Sequence, residues 1–379
     1  MKNRILAWLL AAAVCVTAVS PALAMDRQVE QDTEGLSQMA GQDAGHDSGE
    51  LVEVIVELEG DPLLLTGGDK EDRAALLAEQ EAVLDQISAL TGEDEGAEAR
   101  HYVTAINALS LVLPWGVTDQ VEELDGVARV SAAARFAPAE STQTAQTAEQ
   151  TIFAGGMVDV ETAWDLGYDG SGTVVAVIDT GLDLDHPAFD TDLEDSSLAL
   201  DADGVSAVLE ELHAYGEYED LTAGAVSHGD KVPFAFNYAD HSLDVSHSGD
   251  GEGDHGTHVA GIVAASGEDG QSVGIAPGAQ LLVMKVFGAS QDSASETVLL
   301  AALEDSILLG ADVINLSLGM SVGFSTGGYA YTQAIENAAQ AGIVVCAAAG
   351  NSDSSTLGNA SGTDLGTTGD IDIGAVSDP

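Results

Sequence analysis

Residues 51–58, LVEVIVEL, place apolar side chains at alternate positions with glutamates between them, the period of a half-buried strand. Apolar residues then recur at helical spacing over 70–90, KEDRAALLAEQEAVLDQISAL. Two strand-like runs follow in HYVTAINALSLVL (101–113), then a short helical stretch in VTDQVEEL (117–124) and a strand in GVARVSAAA (126–134). The order β-α-β-β-α-β predicts a small α+β domain of the split βαβ kind.

Beyond residue 153 the rhythm changes. Apolar runs at 173–178 (TVVAVI), 232–236 (VPFAF), 280–287 (QLLVMKVF), 312–318 (DVINLSL), 343–349 (IVVCAAA) and 370–376 (DIDIGAV) read as buried strands. Helical patterns separate several of them: HVAGIVAA, ETVLLAALEDSILL and YTQAIENAAQ. Strands buried on both faces and alternating with helices predict an α/β region, a mostly parallel sheet with helices on both faces. Ligands of such sheets bind at the carboxyl ends of the strands.

The flanking segments are of another kind. Residues 1–24 carry Lys2 and Arg4, then an apolar run, then Ala22-Leu23-Ala24, the layout of a cleaved secretory signal peptide. The alternative, a membrane anchor, has only Ile5 to about Val19 to span with, and Val14 before Cys15 fits a lipidation site poorly. No other transmembrane segment is expected. Residues 25–50 are polar, acidic and aperiodic and read as a disordered leader. Residues 138–152, which include ESTQTAQTAEQT, have little apolar surface to bury and read as a linker open to proteolysis.

Charge narrows the partners. Lys plus Arg total 10 against 64 Asp plus Glu, and after Arg135 the only basic side chains of that kind are Lys231 and Lys285. Such a surface repels phosphates, which argues against nucleic acid. Of the two cysteines, Cys15 leaves with the signal peptide, so no internal disulfide is expected, and Cys346 in GIVVCAAAG reads as a small buried hydrophobe.

Polar residues gather at one edge of the predicted sheet. Asp179 ends the strand TVVAVI, His255 opens the helix of HGTHVAG, Asn351 follows IVVCAAAG, and Ser317-Leu318-Gly319 ends another strand. A zinc reading of His255 and His258 lacks a helical HExxH or a third ligand, so no metal site is expected there. Asp179-Thr180-Gly181 is also the tripeptide of an aspartic protease, but its second carboxylate would have to be Asp47 of DSG, which no apolar strand precedes.

VIDTG, HGTHVAGI, INLSLG and AAAGN, in that order, resemble the subtilisin-like serine peptidases, and AWDLGYDGSGTVVAVIDTGLDLDHPAF with KVPFAFNYAD resembles the cell-envelope proteinases of Gram-positive bacteria. The resemblance covers about residues 51–379. It implies a triad acid at Asp179, a base at His255 and an oxyanion-hole donor at Asn351, with Ser317, Leu318 and Gly319 pairing with an extended substrate as an added strand. His258 is then a buried, hydrogen-bonded residue. Residues 51–137 resemble an inhibitory propeptide, 138–152 would hold the activation cleavage, and 153–379 would be the amino-terminal part of a catalytic domain.

Two departures stand out. No GTS turn, the family's setting for the nucleophile, follows Asn351; Ser352, Ser354, Ser355, Ser361 and Ser377 all lack it, so the catalytic serine is expected beyond residue 379 and this chain alone is expected to be inactive. Asp179 and His255 lie 76 positions apart, wider than in compact subtilisins, and the acidic surplus, with a short helix at SAVLEELHA, reads as a solvated insertion. No cofactor is required; structural calcium is an option at DADG (201–204) or at SGEDGQSV (266–273). The expectation is a secreted serine endopeptidase zymogen acting on proteins or peptides and inhibited by its own propeptide. The alternative is a secreted peptide-binding protein without catalysis.

Overall fold

Strand β1 (Leu51–Leu58) uses both of its faces. Val54, Val56 and Leu58 pack with Val83, Leu84 and Ile87 of the long helix α1 (Lys70–Thr91), whereas Ile55 joins the core beneath the other face. The computed structural model describes residues 46–92, 99–138, 158–193, 198–218, 220–246, 255–266, 273–289, 293–319 and 330–348. The expected signal peptide, most of the leader and the linker, Asn351, the serines after it and the strand expected at 370–376 lie outside these residues.

The small lobe is an antiparallel sheet in the order β2-β3-β1-β4, with β2 (Arg100–Tyr102), β3 (Ala108–Pro114) and β4 (Val127–Ala132). Helix α1 begins at a capping box, Asp69 accepting from Glu71 N and Asp72 N while Asp72 accepts from Asp69 N, and it ends at Gly92 in the left-handed region. The short α2 (Thr118–Glu122) adds Val121 to the same core. Residues 47–49 of the DSG tripeptide lie against this lobe, Gly116 N donating to Ser48 O.

A strand that hydrophobic period did not reveal follows: β5 (Arg135–Pro138), which belongs to neither main sheet.

The large lobe is a parallel sheet in the order β12-β10-β6-β8-β7. Its strands are β6 (Val174–Asp179), β7 (Phe234–Asn237), β8 (Gln280–Lys285), β10 (Val313–Leu316) and β12 (Val344–Ala347). Every residue of β6 is buried, as a central strand covered on both faces requires. The chain runs from β6 to one side and then crosses to β10 on the other, so the sheet has its switch point around β6. One face carries the helix α4 (His255–Ala264), and the other carries α5 (Glu296–Leu308) and α6 (Ala330–Gln340). Ile55, Tyr102, Ala105, Ile106, Ala108 and Phe136 of the amino-terminal part lie in the same buried cluster as Leu299, Leu300 and Leu303 of α5. The two lobes therefore share a core.

Three expectations need correction. The acidic insertion is helical, as expected around SAVLEELHA, with α3 (His213–Glu217) among its short helices, but it is not merely solvated: it buries Val205, Leu212, Ala214 and Leu221. Its apolar residues are too widely spaced to give one clean period, but they share one core. Cys346 is exposed, because β12 ends the described sheet and only β10 pairs with it. His258 is exposed as well: Gly256 and Ala260 face inward, and two residues along a helix is about 200°, which puts His258 on the opposite side. Asp201 of DADG caps a helix, accepting from Gly204 N at 2.8 Å. Most of 266–273 lies outside the described residues. No helix among the described residues is long and apolar enough to cross a membrane.

Candidate active site

Asp179 is the last residue of β6 and His255 the first of α4. His255 Nδ1 lies 2.7 Å from Asp179 Oδ1, which also accepts from Thr180 N at 2.6 Å. The carboxylate is 1% exposed and the imidazole 12%, so the pair is shielded while the ring keeps an outlet. Asp179 Oδ2 is buried without a hydrogen-bond partner among the described residues.

Two glycines let the helix come this close. A Cβ on Gly256 would stand 2.2 Å from Gly181 O, and one on Gly181, whose φ is +120°, would stand 2.1 Å from Val245 O. Thr180 closes the junction, its Oγ1 accepting from Gly256 N at 2.9 Å. Lys285 pairs in register with Asp179 on the neighbouring strand and donates from Nζ to Thr180 O at 2.5 Å. Burial pulls the Lys285 ammonium below the usual lysine range, while the carboxylates of Asp240, Asp244 and Asp179 oppose the shift. Lys285 was not singled out from the sequence for this place. The signal was there, a lone cation interrupting the apolar run QLLVMKVF.

Beside the pair runs a second, smaller sheet. β5 lies between β9 (Ala294–Ser295) and β11 (Leu318–Gly319), antiparallel to both: Arg135 pairs with Ser295, Phe136 with Ala294, Ala137 with Gly319 and Pro138 with Leu318. Since β10 and β6 are parallel neighbours, β11 starts from the same sheet edge that carries Asp179. Of the three residues expected to pair with a substrate, Leu318 and Gly319 pair with this chain's own Ala137 and Pro138, and Ser317 Oγ instead accepts from Asn315 Nδ2 at 3.0 Å. Phe136 is fully buried and meets Tyr331 edge-on, ring centroids 4.6 Å apart. Asn351 lies outside the described residues.

Carboxylates of α5 hold the small lobe in place. Glu304 Oε1 accepts from Thr104 N at 2.8 Å and Ala105 N at 2.6 Å, with Val103 N and Ile106 N also turned to the carboxylate. Glu296 accepts from Ala134 N at 2.8 Å and from Tyr331 N at 3.1 Å; burial pushes its pKa up to about 7 against those hydrogen bonds. Glu53 of β1 accepts from Ser295 Oγ and Thr297 Oγ1, both at 2.6 Å. A glutamate that alternation reads as solvent-facing is thus part of the join.

Comparison with known proteins decides the family. The peptidase S8 model, described as the subtilase family, matches residues 170–378. The chain belongs to the subtilase family. It is 33% identical over 325 residues to the PII-type proteinase of Lacticaseibacillus paracasei, an alignment covering 80% of this chain and 16% of that protein. The PI-type proteinase of Lactococcus lactis subsp. cremoris is 32% identical over 321 residues, again 80% of this chain and 16% of the relative. The minor extracellular protease Vpr of Bacillus subtilis (strain 168) is 34% identical over 195 residues, 50% of this chain and 19% of that protein. The chain spans about a sixth of the length of the first two relatives.

Proposed function

We propose that this subtilase is the amino-terminal part of a secreted serine endopeptidase made as a zymogen. The observation that carries the reading is β5, which lies in a strand-lined groove at the edge of the sheet that bears the Asp179–His255 pair. An extended peptide bound by main-chain hydrogen bonds on both sides is how a protease holds a substrate of varied sequence. Here the small lobe supplies that peptide from its own end, so it blocks the groove.

The chemistry follows from the pair. Asp179 holds His255 by Nδ1, which leaves Nε2 as the acceptor for a serine proton and stabilises the imidazolium that forms. The serine oxygen then attacks the peptide carbonyl, and His255 returns the proton to the leaving amine. Asn351 is assigned to the oxyanion hole on the family resemblance. No cofactor takes part; a structural calcium ion remains an assignment of segment 266–273. Residues 1–24 would direct export, in keeping with a relative named as extracellular. Residues 51–137 act as propeptide, cleavage falls in 138–152, and the pocket taken by Phe136 favours a large apolar side chain in substrates.

The test is to secrete the product of the complete gene and follow its amino terminus and its hydrolysis of peptides. Cleavage within 138–152, accompanied by activity that a fluorophosphonate blocks, is expected. Peptide binding without hydrolysis, or hydrolysis equal to that of His255→Ala, would replace this reading with a non-catalytic peptide-binding protein.

A further inference from the structure

Three cations of the small lobe, Lys70, Arg73 and Arg100, meet one short stretch of the large one. Lys70 Nζ lies 2.9 Å from Glu211 Oε1, and Arg73 Nη2 donates to Glu211 O at 2.9 Å. Arg100 Nη2 lies 2.6 Å from Glu217 Oε1, while its Nη1 donates to Thr297 O at 3.1 Å. The side chains of Arg100 and Glu217 are only 20% and 11% exposed, so this pair is largely withdrawn from water.

Glu217 and Thr297 together make a seat for a guanidinium: a carboxylate beside one nitrogen and, on the other, a carbonyl from the first turn of α5 that also accepts from Tyr102 Oη at 2.7 Å. Both belong to the large lobe. Two-point contact of this kind suits the planar fork of arginine better than a lysine ammonium. Thr297 is two residues from Ser295, the partner of Arg135, so the seat lies beside the upstream end of the strand in the groove. When Arg100 leaves, His241, with Nδ1 3.1 Å from Glu217 Oε2, remains beside the carboxylate and is a cation only when protonated. A half-buried carboxylate that loses its guanidinium favours another one.

We infer that Glu217 and the Thr297 carbonyl, flanked by residues 210–216, form an accessory substrate site that binds an arginine side chain of a polypeptide upstream of the bond to be cut. In the zymogen Arg100 fills it. The inference rests on the peptidase reading above.

The test uses the matured product of the complete gene and peptides that share the residues flanking the scissile bond but carry Arg or Gln at successive upstream positions. At one position the Arg peptide should be favoured about 10-fold in kcat/KM, the size of a partly buried ion pair. The ratio should fall close to 1 in Glu217→Gln, and in the unaltered enzyme it should shrink as salt is raised. An Arg-to-Gln ratio near 1 at every position, or one that neither salt nor Glu217→Gln changes, overturns the accessory site and leaves the peptidase standing. If the matured product cuts neither peptide, nor any other, both readings fall.

Discussion

In the small lobe Lys70, Arg73 and Arg100 reach outward to Glu211, Glu217 and Thr297 of its neighbour. The large lobe's two lysines turn inward instead: Lys231 Nζ donates to Pro277 O and Ala279 O, each at 2.7 Å, and Lys285 Nζ to Thr180 O. Both are 1% exposed. Positive charge thus joins the lobes in one case and ties backbone within a lobe in the other. Parting the lobes costs the first set, whereas the second lies wholly within the large lobe.

The sharpest way to test that separation is His255→Ala in the complete enzyme. Peptidase kcat should fall on the order of 10⁶-fold, the loss in a subtilisin deprived of its histidine, and the urea midpoint should fall as well, because the buried Asp179 carboxylate loses its ring partner. Glu304→Ala attacks the join instead. It strips the acceptor from four amide groups of residues 103–106, and unfolding should lose about 2–4 kcal/mol, read from the urea midpoint.

Acidity acts on the same join. The folded pKa of Glu296, about 7, lies above the ordinary 4.5, so between those values the folded chain binds more protons than the unfolded one. Stability contributed by this group is full below pH 4.5 and declines, by up to about 3 kcal/mol, as pH rises through 7. A urea series from pH 5 to 8 should show that decline, and Glu296→Gln should flatten it. Within the large lobe, Lys231→Met leaves two carbonyls without their donor and should cost about 1–3 kcal/mol in thermal unfolding. The smallest effect is expected of Lys70→Ala: that side chain is 83% exposed, and its ion pair should give no resolvable shift in the urea midpoint.

Long periodic segments were legible from residue order alone. β1, α1, β6 and α5 coincide with the runs that named them, because burial on one or two faces imposes the period. Asp179 and His255 were legible as a strand end and a helix start, each a polar residue where an apolar pattern stops or begins. β5 and β9 were not. Strands of four and two residues have too few positions to show a period, and their pairing joins Arg135 to Ser295 across most of a lobe. His258 misled because its neighbours are small and apolar; which side of the helix faced the sheet was settled by Gly256 and Ala260. The insertion misled for a related cause. Its acidity suggested water, whereas Glu211 and Glu217 face cations that lie more than 100 positions away in the chain.

The inward turn of Lys231 and Lys285 has a consequence for proteolytic wear. Trypsin-like enzymes cut after lysine and arginine, and beyond Arg135 the sequence offers them only these two residues, both sealed in the core. Lys70 and Arg135 are exposed in the small lobe. A protease of that specificity arriving from outside would therefore consume the small lobe first and find nothing to cut in the part of the large lobe that follows it.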